Sequence, residues 1–214
     1  GALALQDIVR AAAHPLAAQA GATILQNGGN AFDAAVATAA ALNVVEPFMS
    51  GLAGLGLATL WVAAENRVRV LDFVPPIPAS FPQGRFTERD ELHRGPNAVA
   101  TPANLAGWCE LAKRYGRMSL SDSFAPAIEL ADNGFPLSEF GVFEFNEQLA
   151  LLKTRPDLHA SVKNNYLKNS SHATLGTLVQ QCELARTLRD IARSGPDYFY
   201  RGPIVQAVID HIQS

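Results

Sequence analysis

Asn27–Val45 reads NGGNAFDAAVATAAALNVV. The Asn-Gly-Gly at its start is a strong stop for a preceding helix, whose apolar positions Leu16, Ala20 and Ile24 recur at i, i+4 and i+8. Asn30 then has the chemistry of an N-cap. Asp33, at the third helical position, meets the positive end of the helix dipole. The helix predicted over Ala31–Val45 is almost entirely small side chains. Such a surface lets neighbouring elements approach closely, so this helix is expected at the centre of the fold. Its alanine content and the charge at Asp33 make it a buried helix and not a membrane span.

Immediately downstream, Ser50–Trp61 reads SGLAGLGLATLW, with glycines at 51, 54 and 56. A phosphate-cradling loop leaves a strand and enters a helix, so that the helix N-terminus meets the anion. Here a helix precedes the glycines and a strand follows, and no Gly-Lys-Ser/Thr is present. The glycines therefore serve close packing or a turn of positive φ. Leu57–Val62 and Arg67–Asp72 read as strands of a hairpin joined across AAEN, and Pro75, Pro76 and Pro78 end the ladder.

The remainder reads as mostly helical. Thr101-Pro102 is expected to cap a helix that runs to Gly116. Ser119 with Asp122 starts a helix that Pro126 restarts and Gly134 closes, and Ser138 opens another. Leu149–Ser171 reads as polar and irregular, Cys182–Arg193 as an amphipathic helix, and Pro203–Ile212 as a final one.

Composition excludes several functions. With 214 residues, 48% hydrophobic and 17% charged, the chain is long enough to bury a core, as one domain or a portion of one. A net charge of −3 argues against nucleic acid or an anionic membrane as the main partner. Cys109 and Cys182 form no metal or redox spacing, and each is expected to be a buried thiol. The five histidines, at 14, 93, 159, 172 and 211, are scattered without a metal-ligand pattern, and His14 before Pro15 reads as a helix-entry residue. No GxSxG elbow is present. Asp72 and Glu46 could act as acid or base, but turn capping suits their positions better. The opening residues lack the basic start and apolar core of a signal peptide.

The order of motifs carries more than any single one. Residues 11–62, AAAHPLAAQAGATILQNGGNAFDAAVATAAALNVVEPFMSGLAGLGLATLWV, resemble the opening of the gamma-glutamyltranspeptidase family. The likeness continues in PNAVATPANLAGWCELAKRYGRMSLSDSFAPAIELADNGFPLS and returns in LARTLRDIARSGPDYFYRGPIVQAVI. The resemblance implies an N-terminal nucleophile hydrolase fold of α/β class, an αββα sandwich, with residues 1–214 as a helix-rich large-subunit portion. It implies a precursor that cuts itself, and a partner small subunit whose new N-terminal threonine is the nucleophile and whose amine serves as base. No cofactor, metal, nucleic-acid partner or membrane span is expected. The substrate is a small-molecule amide or acyl donor, and most of the family is periplasmic or secreted.

One departure bears on specificity. The family's signature after the second strand is close to L-D-x-R-E-x-A-P, in which the arginine grips the α-carboxylate of the glutamyl group. Residues 71–79 read LDFVPPIPA, so Val74 stands in the arginine's place beside Phe73. Guanidinium binds carboxylate by paired, charge-assisted hydrogen bonds. Losing such a buried pair costs about 2–5 kcal/mol. Val74, and Phe73 with it, are therefore the candidate substrate-binding residues, for an acyl group other than glutamyl. A homologue that cleaves a carbon–carbon bond in antibiotic precursor maturation and a catalytically silent binding scaffold are the alternatives. Two of the family's run of glycines are also replaced, by Ala53 and Leu55.

Overall fold

The computed structural model describes residues 11–77, 81–82, 84–86, 88 and 98–213. The expected ladder stop at Pro78, His93 and the first ten residues lie outside the described residues. In chain order the elements are α1 (Pro15–Gln26), α2 (Ala31–Val45), β1 (Gly56–Val62), β2 (Arg67–Phe73), α3 (Asn104–Tyr115) and α4 (Leu120–Asn133). There follow β3 (Phe135–Pro136), α5 (Glu139–Leu151), α6 (Pro156–Tyr166), β4 (Leu178–Val179), α7 (Cys182–Ser194), α8 (Asp197–Tyr200) and α9 (Pro203–Gln213).

The small-residue helix is central, as its sequence implies. α2 packs against α1, α3 and α4, and α4 in turn against α7. Val36, Ala37, Ala40, Ala41 and Val44 are fully buried between them. α2 begins in a capping box. Asn30 Oδ1 accepts the N–H groups of Phe32 and Asp33, and Asp33 Oδ2 accepts that of Asn30 at 2.9 Å. The same carboxylate, wholly buried, also accepts the backbone N–H groups of Arg117 and Met118 at 3.0 and 3.2 Å. Asn30 Nδ2 donates to Tyr115 O at 2.7 Å. Four hydrogen bonds thus tie the start of α2 to the turn between α3 and α4. Gly116 is required in that turn, since a Cβ there would stand 2.5 Å from Asp33 Oδ1.

His14 fulfils its expected entry role. It caps α1 by accepting the Leu16 N–H on Nδ1 at 3.2 Å, and its ring meets Phe135 edge-on at 6.3 Å. Ser119 and Ser138 cap α4 and α5 as expected. α4 ends at Gly134, φ +80.

Several expectations are corrected. α3 starts at Asn104, not at Thr101-Pro102, because Gly54 O accepts the N–H groups of Ala103 and Asn104 at 3.0 and 2.8 Å and so supplies the helix start from another loop. α4 runs unbroken through Pro126, since the packing of Phe124, Ala127 and Ala131, all fully buried, outweighs one lost hydrogen bond. Residues 149–171 are not irregular: α5 extends to Leu151, and α6 follows with Pro156 in its first turn. No residue of α6 is fully buried; its one apolar row, Leu158, Val162 and Tyr166 at i, i+4 and i+8, is half-buried, with Val162 and Tyr166 packed on the core. The two-residue pairing of β3 with β4 and the single-turn α8 were not foreseen. Cys182 is exposed at the first position of α7, beyond the helices that cover the middle of α7. Cys109 is half-buried, and burial pushes its thiol up to about 11.

Two predictions follow from these contacts. Asp33→Asn replaces one acceptor oxygen by a donor facing backbone N–H groups, and should cost the assembled protein about 3 kcal/mol. Amide exchange at Arg117 and Met118 checks it and should accelerate together; unchanged protection would contradict the clamp. Burial lowers the pKa of His14, an effect that the nearby Glu46 carboxylate opposes in part. The unfolded chain therefore binds this proton more readily. The stability is complete above the ordinary histidine range and falls as pH drops through the lowered value. His14→Asn keeps an acceptor for the Leu16 N–H without the titration. Its melting temperature should fall less between pH 7 and pH 5 than that of the native protein, and equal falls would refute the assignment.

Candidate functional site

The hairpin forms as its sequence implies and turns back through Ala63–Glu65 and Asn66, the latter in left-handed conformation at φ 49. Its antiparallel register pairs Gly56 with Phe73, Leu57 with Asp72, Thr59 with Val70 and Trp61 with Val68. Side chains alternate between the faces of such a ladder. Leu60, Val62, Leu71 and Phe73 turn toward the helices, where Leu60 and Val62 are buried and Leu71 packs against the core. Leu57, Trp61, Val68 and Val70 turn the other way and remain 58–65% exposed.

Phe73 holds the hairpin to the helix layer. Cβ atoms added at Gly56 and at Gly107 would both run into the Phe73 ring, so the ring lies directly on the backbone of β1 and of α3. This settles why glycine stands at 56. None of Gly51, Gly54 and Gly56 has a positive φ; close packing explains Gly56, under the Phe73 ring, and Gly54, against Gly51 O, while a Cβ at Gly51 would meet only ordinary contact.

The glycine segment before β1 is fixed from behind. Asn104 Nδ2 donates to Gly51 O at 2.8 Å, Leu105 N–H to Leu52 O at 3.2 Å, and Gly54 O accepts from the start of α3. Asn43, buried in α2, brings Oδ1 to the same loop, where a Cβ on Gly51 would stand 3.6 Å away. Asn104 was not picked out from the sequence. Its only signal was a polar residue following Pro-Ala at a helix start, which the Thr-Pro pair outcompeted.

Asp72 is the turn-capping carboxylate expected: its Oδ1 accepts the Val74 N–H at 2.9 Å. That bond fixes the chain just beyond β2. Val74 is 47% exposed, while Phe73 is half-buried under the hairpin. The two candidate residues therefore lie on opposite sides of the strand end. Glu46 ends α2, its side chain buried and its carbonyl accepting from Met49 and Ser50.

Two grooves among the described residues lie away from the hairpin. A groove of about 550 Å³ runs between α1 and α4, and one of about 630 Å³ lies beside α3, Gly195 and Tyr200. Neither touches the hairpin. Among the described residues no three His, Cys, Asp or Glu side chains are grouped to hold a metal, and no helix is long and apolar enough to cross a membrane. Nor does the hairpin end gather a nucleophile and a base from this chain: its groups are one carboxylate engaged with backbone and a wall of apolar side chains.

Comparison with known proteins supplies the context. The profile of the family described as Gamma-glutamyltranspeptidase matches residues 17–214. The chain is 35% identical over 211 residues to the acylase ACY 1 proenzyme of Pseudomonas sp. (strain SE83), covering 93% of this chain and 37% of that protein. It is 31% identical over 219 residues to the glutathione hydrolase proenzyme of Bacillus subtilis (strain 168), covering 97% and 36%. The chain thus spans little more than a third of the length of these curated relatives. Among solved structures, Helicobacter pylori gamma-glutamyltranspeptidase superposes with a TM-score of 0.82 at 31% identity, over 94% of this chain and 58% of that one. The arrangement of helices around the hairpin is accordingly the helix-rich portion of the N-terminal nucleophile hydrolase αββα fold. By sequence over nearly its whole length, and by fold, the chain belongs to the gamma-glutamyltranspeptidase family.

Proposed function

We propose that this chain is the large-subunit portion of an amide hydrolase or acyltransferase whose nucleophile is the N-terminal threonine of a small subunit cut from the same precursor. Both curated relatives described above are named proenzymes, which supports a precursor. The bare apolar face of the hairpin supports a partner. Leaving Leu57, Trp61, Val68 and Val70 in water forgoes about 1.5–3 kcal/mol for each large aliphatic side chain, and a second sheet packed on that face recovers it.

In this reading the threonine hydroxyl attacks the acyl carbonyl while the α-amine of the same residue takes its proton. The tetrahedral oxyanion collapses, the leaving amine takes the proton, and an acyl ester remains. Water or an amine acceptor then releases the acyl group. The large-subunit chain contributes no reacting atom. Its part is to present the end of the hairpin beside the acyl half of the substrate.

The observation that carries the specificity is Val74. It is exposed at the end of β2, held by the Asp72 carboxylate, at the position where the family signature has its carboxylate-binding arginine. A valine there leaves a glutamyl α-carboxylate unpaired in a desolvated site, and offers methyl surface to an acyl chain without an amino-acid head. Phe73, on the other side of the strand, acts on substrate only by holding the strand end in place. The chain is similar both to a protein named an acylase and to one named a glutathione hydrolase, at 35% and 31% identity, so the choice rests on Val74.

Two measurements test the reading. Edman sequencing of the small subunit from the purified, self-processed protein should begin with threonine and a free amine; another residue, or a blocked amine, would favour the silent scaffold. In the processed enzyme, Val74→Arg should raise kcat/KM for γ-glutamyl anilide by about tenfold or more, relative to anilides of plain carboxylic acids. Unchanged donor preference and unchanged KM values would remove Val74 from the acyl pocket.

A further inference from the structure

We infer that Leu55 is a second specificity-determining residue, forming with Val74 one continuous apolar wall that reads the length of a linear acyl chain. The inference rests on the acyl-donor reading of Val74 given above and extends it to a residue on the other strand.

The register carries the argument. Gly56 pairs with Phe73 at the open end of the hairpin. Leu55 and Val74 are the residues that immediately follow this last pair at the open end, one on each strand's side. Alternation turns both away from the helix layer, on the face that carries Leu57. The exposures agree: Leu55 is 52%, Leu57 64% and Val74 47% exposed, whereas Phe73 between them is turned inward over Gly56 and Gly107. Side chains opposite one another on one face of an antiparallel pair are direct neighbours. Thus two replacements that lie 19 positions apart in the chain, one for a glycine and one for an arginine, flank the same terminal pair of the hairpin.

Both positions are held. Gly54 O, just before Leu55, accepts the N–H groups of Ala103 and Asn104, and Gly56, just after it, is in the ladder under Phe73. The Val74 N–H is bound to Asp72 Oδ1. These bonds set the backbone on either side of Leu55 and the local turn at Val74. A leucine in place of hydrogen narrows the space beside Val74 and lengthens the methyl surface along the strand end. The ligand suited to such a surface is an unbranched acyl chain of several methylenes with no charged group near the carbonyl.

The test uses the processed two-subunit enzyme and p-nitroanilides of straight-chain acids from acetyl to octanoyl, with the γ-glutamyl anilide as a separate donor. In the native enzyme kcat/KM should rise by up to about fourfold per added methylene until the chain passes both side chains. Leu55→Gly should flatten that rise, and Leu55→Ala should flatten it less. The alanine variant also reports if the glycine variant fails to process. The double variant Leu55→Gly/Val74→Arg should depart by more than about twofold from the product of the single effects on the γ-glutamyl donor, as neighbours do. A chain-length slope in Leu55→Ala equal to the native one overturns the inference. If Val74→Arg still shifts donor preference in that case, the proposed function stands without Leu55. If no form hydrolyses any anilide, both fall.

Discussion

The carboxylate of Asp33 is the contact on which the arrangement of helices depends. It is fully buried and accepts backbone N–H groups from its own helix start and from Arg117 and Met118, more than eighty residues further on. A buried carboxylate is costly unless its lone pairs are filled, and here they are filled by donors that would otherwise be unpaired at a turn. The clamp fixes the end of α3 against the start of α2. α3 in turn starts at the carbonyl of Gly54, so both ends of α3 are set by groups from the Asn30–Gly54 stretch. The alanine-rich body of α2 lets α1, α3 and α4 gather close around it.

Among the described residues, the hairpin is held to that frame through its inner face. Phe73 lies on the backbones of Gly56 and Gly107, and Leu60, Val62 and Leu71 complete the inner face. The outer face keeps its apolar residues bare. A sheet with one covered face and one uncovered apolar face is half of a two-sheet sandwich, and this is what the family fold requires of its large-subunit portion. The same asymmetry bears on function. The inner side of the hairpin end is packed through Phe73 on Gly56 and Gly107, and its outward side chains are exposed.

Local chemistry made much of this fold legible in the sequence. Asn30 and Asp33 announce a helix start, Ser119 and Ser138 two more, and the period-2 runs around AAEN a hairpin. The misses share one physical origin, which is that the deciding partner is distant in sequence. α3 starts at Asn104 because Gly54, fifty residues earlier, provides the acceptor. α4 continues through Pro126 because α2 and α7 cover it. α6 shows its helical period only in Leu158, Val162 and Tyr166, a half-buried row amid polar neighbours, which the polar composition of the segment outweighs. At the site, the order of motifs was enough to single out Val74 and to note Leu55 as a replaced glycine. That both residues adjoin the last pair of the ladder required the register, and the inward orientation of Phe73 required the contact with Gly107. Cys182 was expected buried because it forms no disulfide, metal or redox spacing; its position at the helix start leaves it in water.

The central claim is that the outward side of the hairpin end borders the acyl group. It is tested most directly by a crystal structure of the processed enzyme trapped as its acyl ester with a slowly hydrolysed straight-chain donor. The account predicts acyl carbons within about 4.5 Å of side-chain atoms of both Val74 and Leu55, with Phe73 behind the strand. An acyl chain directed away from the hairpin, leaving Val74 and Leu55 in contact with the small subunit alone, would contradict it.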